Sequence, residues 1–544
     1  MKKHLRSLLA LVLVLSLLLS GCSASSFETF FQGLAGFLQG SLTVPFDDMT
    51  YTRPDPNSFV RAAGETSQNA QTAENADALM EEIYRCYDLY YDFYTNYTLS
   101  LIHYSTDITD IYWEKEYNYC QNQSAQVDGA MDALLYALAD SPLRSELEKT
   151  EYFGEGYFSA YDGESFWDDT FTGLMARESE LLNKYYELTG ESLEETGYTD
   201  EYFSTWGARF SELFCQLVVL RQEIAAYAGY ESYVAFAYDY YYHRDYTPQQ
   251  AAKLMEGIQK ELTELYVSIP DGVWAAGFDS CTEKQSLAYV ESFAKKMGGT
   301  IWDAFLLMKE NNLYDNRISA NKSNTSFEVF LDTYFVPYIF LDPSGYSYDK
   351  LTFAHEFGHF CNDYAACGTA VNVDVAEIFS QSMEYLSLRY SDDAGALEKR
   401  SMAESLSTFV EQAAYASFEH QLYMLPKEQV TPENVRALYE SVGKAYGFDR
   451  EPGWDTRDYV RVPHFYVHPM YIISYVVSND AAMQIYQAEL ETQGAGLTLL
   501  TENLATEQPC FLAFTKEAGL DNPFAEGRAA SLRKTFEAIL FDKP

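Results

Sequence analysis

Ala354-His355-Glu356-Phe357-Gly358-His359 holds two imidazoles four residues apart with a glutamate between them. On an α-helix positions i and i+4 share a face, so both rings can reach one metal ion while Glu356 stands beside the coordination position left open for water. The flanking residues predict that helix. Phe353, Phe357, Phe360, Cys361 and Tyr364 recur at the spacing of a single face, turned away from His355. That face packs into a core, and Gly358 keeps the histidine side free of bulk. Two imidazoles on the partly buried side of an apolar helix need partners, and a metal supplies one partner for both. Zinc-assisted hydrolysis is the chemistry that this spacing serves.

Zinc takes a third protein ligand and keeps a fourth position for water or substrate. The helix expected over Val373–Leu386 offers two candidates. Val375, Phe379, Met383, Leu386 and Tyr390 form its apolar stripe, and Glu377, Gln381 and Glu384 form the opposite one. Either glutamate could complete the site. Glu377 lies 18 residues beyond His359, across a loop with Gly368 and Asn372 that can turn the chain back as a helical hairpin. Asp374 shares the side of Glu377 and is expected to accept the remaining ring N–H of a ligating histidine.

These residues resemble the oligoendopeptidase F and thimet oligopeptidase family of zinc peptidases. His355-Glu-Phe-Gly-His359 followed by Asp374-Val-Ala-Glu377-Ile-Phe-Ser-Gln-Ser-Met-Glu384 carries the likeness. Val336-Pro337-Tyr338-Ile339-Phe340-Leu341-Asp342 is similar to the family's strand before the metal helix. Arg461-Val462-Pro463-His464-Phe465-Tyr466, with Tyr471 and Tyr475, is similar to the segment that completes its site, and Ala228-Gly229-Tyr230-Glu231-Ser232-Tyr233 to a further element. The resemblance implies a large, mostly α, two-lobed zincin-type body with a small β-sheet near the metal helix and a deep central channel. It implies His355, His359 and Glu377 as ligands of one zinc ion, Glu356 as general base, and Glu384 as support for the ligands. His464, Tyr471 and Tyr475 would donate hydrogen bonds to substrate and oxyanion. Two departures stand out: Asn362 replaces a histidine common in the family, and the segment through His468-Pro469-Met470 is one residue longer.

The N-terminus predicts an address. Met1-Lys2-Lys3-His4-Leu5-Arg6 is a basic start, Leu8 to Leu19 is apolar, and Leu19-Ser20-Gly21-Cys22 resembles the lipobox of bacterial lipoproteins. Processing would remove residues 1–21 and leave Cys22 as a lipidated first residue, so the protein is expected outside the cytoplasm, anchored to the bacterial cell membrane. Residues 22–75 read as a tether and approach segment in which Pro45, Pro54 and Pro56 break regular structure. Residues 76–544 read as a helical body, with the metal-site core at about 317–485. Helices are expected to start at Thr247-Pro248 and Thr431-Pro432, strands to fall within about 317–343, and the aromatic run Tyr87–Tyr94 to lie buried between neighbours.

Composition excludes several partners. The chain has 37 basic and 81 acidic residues, a net charge of −44 that becomes −47 once the three basic residues of the signal are removed. Nucleic acid and anionic membrane surfaces are disfavoured; the resemblance implies short peptides as substrates, and the lipid on Cys22 is the expected membrane contact. Oligomeric state is not legible. Without Cys22, seven cysteines remain, scattered over a large chain, which is not a disulfide scaffold. The expected function is zinc-dependent hydrolysis of internal bonds in short peptides. A helical zinc carboxypeptidase, a peptide-binding lipoprotein with a degenerate site and a structural envelope protein are the alternatives, and an intact Glu356 disfavours mere binding.

Overall fold

Helices begin where the sequence supplies caps. Thr247 and Thr431 cap helices whose first residues are Pro248 and Pro432, as expected. Asp55 does the same for α1 (Pro56–Ala70), Asn75 for α2 (Ala76–Thr106) and Asp110 for α3 (Ile111–Ala139). The computed structural model describes residues 43–541 except 151, 163–165, 193–197, 370, 393, 396 and 507. The signal, Cys22 and the rest of the tether up to residue 42 lie outside the described residues.

The approach segment is shorter than the sequence predicts. Pro56 starts a helix, because its missing N–H costs nothing at a first helical position. Phe59, Ala62 and Ala63 of α1 are buried with Ile83 and Phe93 of α2 and Val127 and Leu134 of α3 in a first apolar core. Phe46 is already docked, its ring 4.3 Å from that of Tyr338. Among the described residues, packing against the body is thus already present at Val44 and Phe46. Within α2 the aromatic run is only partly covered: Phe93 is buried, Tyr87, Tyr90 and Tyr94 are half-buried, and Tyr91 faces solvent.

A second and larger core joins α4 (Asp169–Ser192), α5 (Ala208–Tyr227) and α6 (Glu283–Met297) to the metal region. Three strands precede it: β1 (Tyr314–Asp315), β2 (Phe327–Leu331) and β3 (Val336–Phe340). Their order is β1-β3-β2, with β1 parallel and β2 antiparallel to β3 and Val329 opposite Tyr338. Central β3 is buried throughout, as its apolar sequence requires. The chain then enters α7 (Asp349–Ala366), α8 (Val373–Tyr390), α9 (Ala413–Tyr423) and α10 (Ile473–Glu491). Helix α8 packs between α7 and α10. Cys86, Cys120, Cys215, Cys361, Cys367 and Cys510 are free thiols, and no helix among the described residues is long and apolar enough to cross a membrane.

Candidate active site

The Asp349 carboxylate accepts hydrogen bonds from Ser344 N and Oγ and from Gly345 N, which turns the chain from the sheet into α7. Phe353, Phe357, Phe360 and Cys361 are fully buried on one side of α7, so His355 and His359 face α8. Gly358 sets the crossing. A Cβ there would lie 2.5 Å from the Phe379 carbonyl oxygen and 2.6 Å from Ser380 Cα, closer than atoms can pack. Only glycine lets the two backbones approach this closely, and the approach brings Glu377 to the histidines.

Glu377 Oε2 lies 3.4 Å from His355 Nε2 and 3.8 Å from His359 Nε2. The three ligand atoms fall within 4.8 Å of one another. Donors on a tetrahedron of zinc–nitrogen radius would be roughly 3.3 Å apart, so a two-histidine, one-carboxylate set fits such an ion. The other atoms of these groups are held. Glu377 Oε1 accepts from the Tyr471 hydroxyl at 2.9 Å, Glu377 Oε2 accepts from Ser380 Oγ at 3.0 Å, and Glu384 Oε2 lies 3.8 Å from His355 Nδ1. Glu384 Oε1 accepts in turn from Ser401 Oγ.

The electrostatics follow from burial. Desolvation lowers His359 to about 4 and keeps it neutral, as a metal-ligating imidazole must be. Burial works to raise Glu377, but the hydrogen bond from His355 and the two rings pull it down to about 2. Glu356 is buried beside them, and desolvation raises its carboxyl to about 7. That is the range suited to accepting a proton at neutral pH.

The opposite wall is the segment from His464 to Tyr475, where His464 Nε2 and the Tyr475 hydroxyl meet at 3.2 Å. Burial lowers His464 to about 4. Within this segment Met470 takes φ +67°. Two buried arginines hold this segment. Arg221 donates to the carbonyls of Phe465 and Tyr466, to Glu178 and to the Tyr423 hydroxyl. Arg244 donates to the Met470 carbonyl and to Ser474 Oγ, both at 2.9 Å. Tyr242 donates to the Pro469 carbonyl, and Glu419 accepts from Met470 N.

Two expectations change. Asp374 does not serve a histidine: its fully buried carboxylate accepts from Arg244 at 3.2 and 3.4 Å, because a buried guanidinium needs a charge partner more than a neutral imidazole does. The Tyr471 hydroxyl, expected to donate to substrate or oxyanion, donates to Glu377 Oε1 in this structure. Asn362, in place of the family histidine, is buried and donates to the Leu504 carbonyl at 2.7 Å. Arg221, Arg244 and Glu419 are supports that the motifs did not reveal. The cue for Arg244 was a lone guanidinium after the run Tyr238–Tyr242 in a very acidic chain; Arg221 and Glu419 offered none.

Residues 46–163 match the family model of the Peptidase M3 N-terminal domain. The chain is thus similar to M3 peptidases over this N-terminal stretch. No curated protein matches its sequence. The fold is shared by a structure described as an oligoendopeptidase F, with a TM-score of 0.81 at 20% identity over 92% of this chain and 99% of that one. PZ peptidase A solved with an inhibitor is similar at TM-score 0.80 and 20% identity, covering 91% of this chain and 99% of the other. Trypanosoma cruzi metallocarboxypeptidase 1 is similar at TM-score 0.58 and 13% identity, covering 89% and 100%. The helical zincin-type body expected from the sequence is the fold observed.

Proposed function

We propose that the protein is a zinc-dependent oligoendopeptidase that hydrolyses internal bonds of short peptides outside the cell, tethered through a lipid on Cys22. The convergence of His355, His359 and Glu377 with Glu356 beside them carries this reading. One zinc ion held by those three side chains would supply an acidified water and polarise the scissile carbonyl. The Glu356 carboxylate would accept a proton from the attacking water and return it to the departing amine. Glu384 orients His355 from Nδ1, while Tyr471 and Ser380 hold the Glu377 carboxylate. His464 and Tyr475 supply the donors for the oxyanion.

Attack on internal bonds is favoured over carboxypeptidase action because Arg221 and Arg244 are both committed to protein partners. Neither is free to receive a terminal carboxylate. The test is Glu356→Gln, which keeps the shape of the site and removes the proton acceptor. We expect zinc content by atomic emission to be unchanged and peptide turnover to fall by roughly 10³-fold or more. Near-normal turnover would remove Glu356 from the mechanism.

A further inference from the structure

A cavity of about 240 Å³ opens beside His355 and Tyr475. One wall continues the ligand stripe of α8, where Gln381 and Glu384 follow Glu377. The other wall carries Glu404, and beyond it the chain winds as a π-turn over Thr408–Gln412, a departure from α-geometry that redirects side chains.

Gln381 is 5% exposed, and its Oε1 is buried without a hydrogen-bond partner. A buried acceptor of this kind is costly until a donor reaches it. The charge around it is also unbalanced. Glu384 and Glu404 both line the cavity, and Glu411 stands close enough to repel Glu404. Arg400 pairs with Glu404 Oε1 and only in part offsets these acids. Burial pushes the Glu404 carboxyl up, as expected where negative charge lacks compensation. The rings of Tyr348 and Tyr385 complete the lining.

We propose that this cavity is the subsite for a lysine or arginine side chain on the residue flanking the scissile bond. The inference rests on the peptidase reading of the site. The cationic head supplies the donor that Gln381 Oε1 lacks and the charge that Glu384 and Glu404 lack, while the aliphatic stem lies along the tyrosine rings. An acidic side chain would meet two carboxylates and be rejected.

The test uses peptides identical except at the residue on either side of one cleavable bond, where lysine, norleucine or glutamate is placed. Norleucine keeps the stem and omits the charge. At one of the two positions we expect kcat/KM for lysine to exceed that for norleucine by roughly tenfold, with glutamate poorest, and Glu404→Gln to bring the lysine-to-norleucine ratio close to one. Binding of the same peptides to the Glu356→Gln protein, followed by fluorescence anisotropy, gives a readout independent of turnover. It should show the same order, and the order should be lost in the Glu356→Gln/Glu404→Gln double variant. Peptides bound or cut without regard to charge would overturn this inference alone. A protein that neither binds nor cuts any of them would overturn the peptidase reading and this subsite with it.

Discussion

Glu377 and Glu384 share one stripe of one helix, yet their surroundings assign them different work. Glu377 faces both Nε2 atoms, whereas Glu384 reaches only Nδ1 of His355, the nitrogen turned away from Glu377. Glu377→Ala should therefore weaken zinc binding by several orders of magnitude, and Glu384→Ala by roughly 10–100-fold. Competition with a chromogenic chelator measures both, and the reverse order would make Glu384 the ligand. Glu419 yields a second contrast. Its Oε2 is buried without a partner, and desolvation raises the carboxyl to about 8 from an ordinary 4.5. The folded state thus binds a proton that the unfolded chain releases between pH 4.5 and 8, so stability falls as pH rises through that window. Glu419→Gln should leave the denaturation midpoint near pH 4.5 unchanged. Above pH 8 it should stabilise the protein by ~1–3 kcal/mol. An equal effect at both pH values would mean that Glu419 is ionised throughout.

At the scale of elements, the site is a contact between two helices. Gly358 allows α7 and α8 to cross with backbone against backbone, and the crossing sets how far Glu377 stands from His355 and His359. Gly358→Ala places a methyl group where the Phe379 carbonyl already sits, so the helices must separate. The expected loss is ~1–3 kcal/mol of stability from overpacking. Zinc affinity should drop alongside, since the third ligand retreats with α8. Thermal unfolding with and without added zinc reads both quantities. A variant that loses neither would show that the crossing does not position the ligand. The arginine pair acts at the same level: Arg244 ties the start of α8 through Asp374 to the start of α10 through Ser474, while Arg221 holds the backbone beside His464.

For the molecule as a whole, the larger core takes in the apolar faces of α7 and α8, and β2 lies at the sheet edge. The His355 and His359 side chains are only 23% and 17% exposed, which favours an extended chain over a folded one as substrate. Short unstructured peptides should be cut, and stably folded proteins should resist until unfolded. A length series carrying a single cleavable bond, run beside native and denatured forms of one protein, measures this limit. Efficient digestion of the native form would require an open cleft.

The boundary between legible and illegible lies where contacts stop being local. His355, Glu356, His359 and the stripe of Glu377 and Glu384 could be read because helical periodicity is encoded within a few neighbouring residues. The caps at Thr247 and Thr431 and the apolar run of β3 are local in the same sense. The role of Asp374 escaped the sequence because its partner, Arg244, lies 130 residues away, and no spacing rule reaches that far. The same holds for Arg221, which meets Tyr466 across 245 residues, and for Tyr471, whose hydroxyl turns to Glu377 across 94. Pro56 misled for a different reason: a proline ends regular structure or begins a helix depending on whether the residues after it find a surface to pack on. Helix α1 persists because α2 and α3 bury its apolar face. Local pattern determined which side chains carry the chemistry, and long-range packing of charge and backbone decided what each one faces.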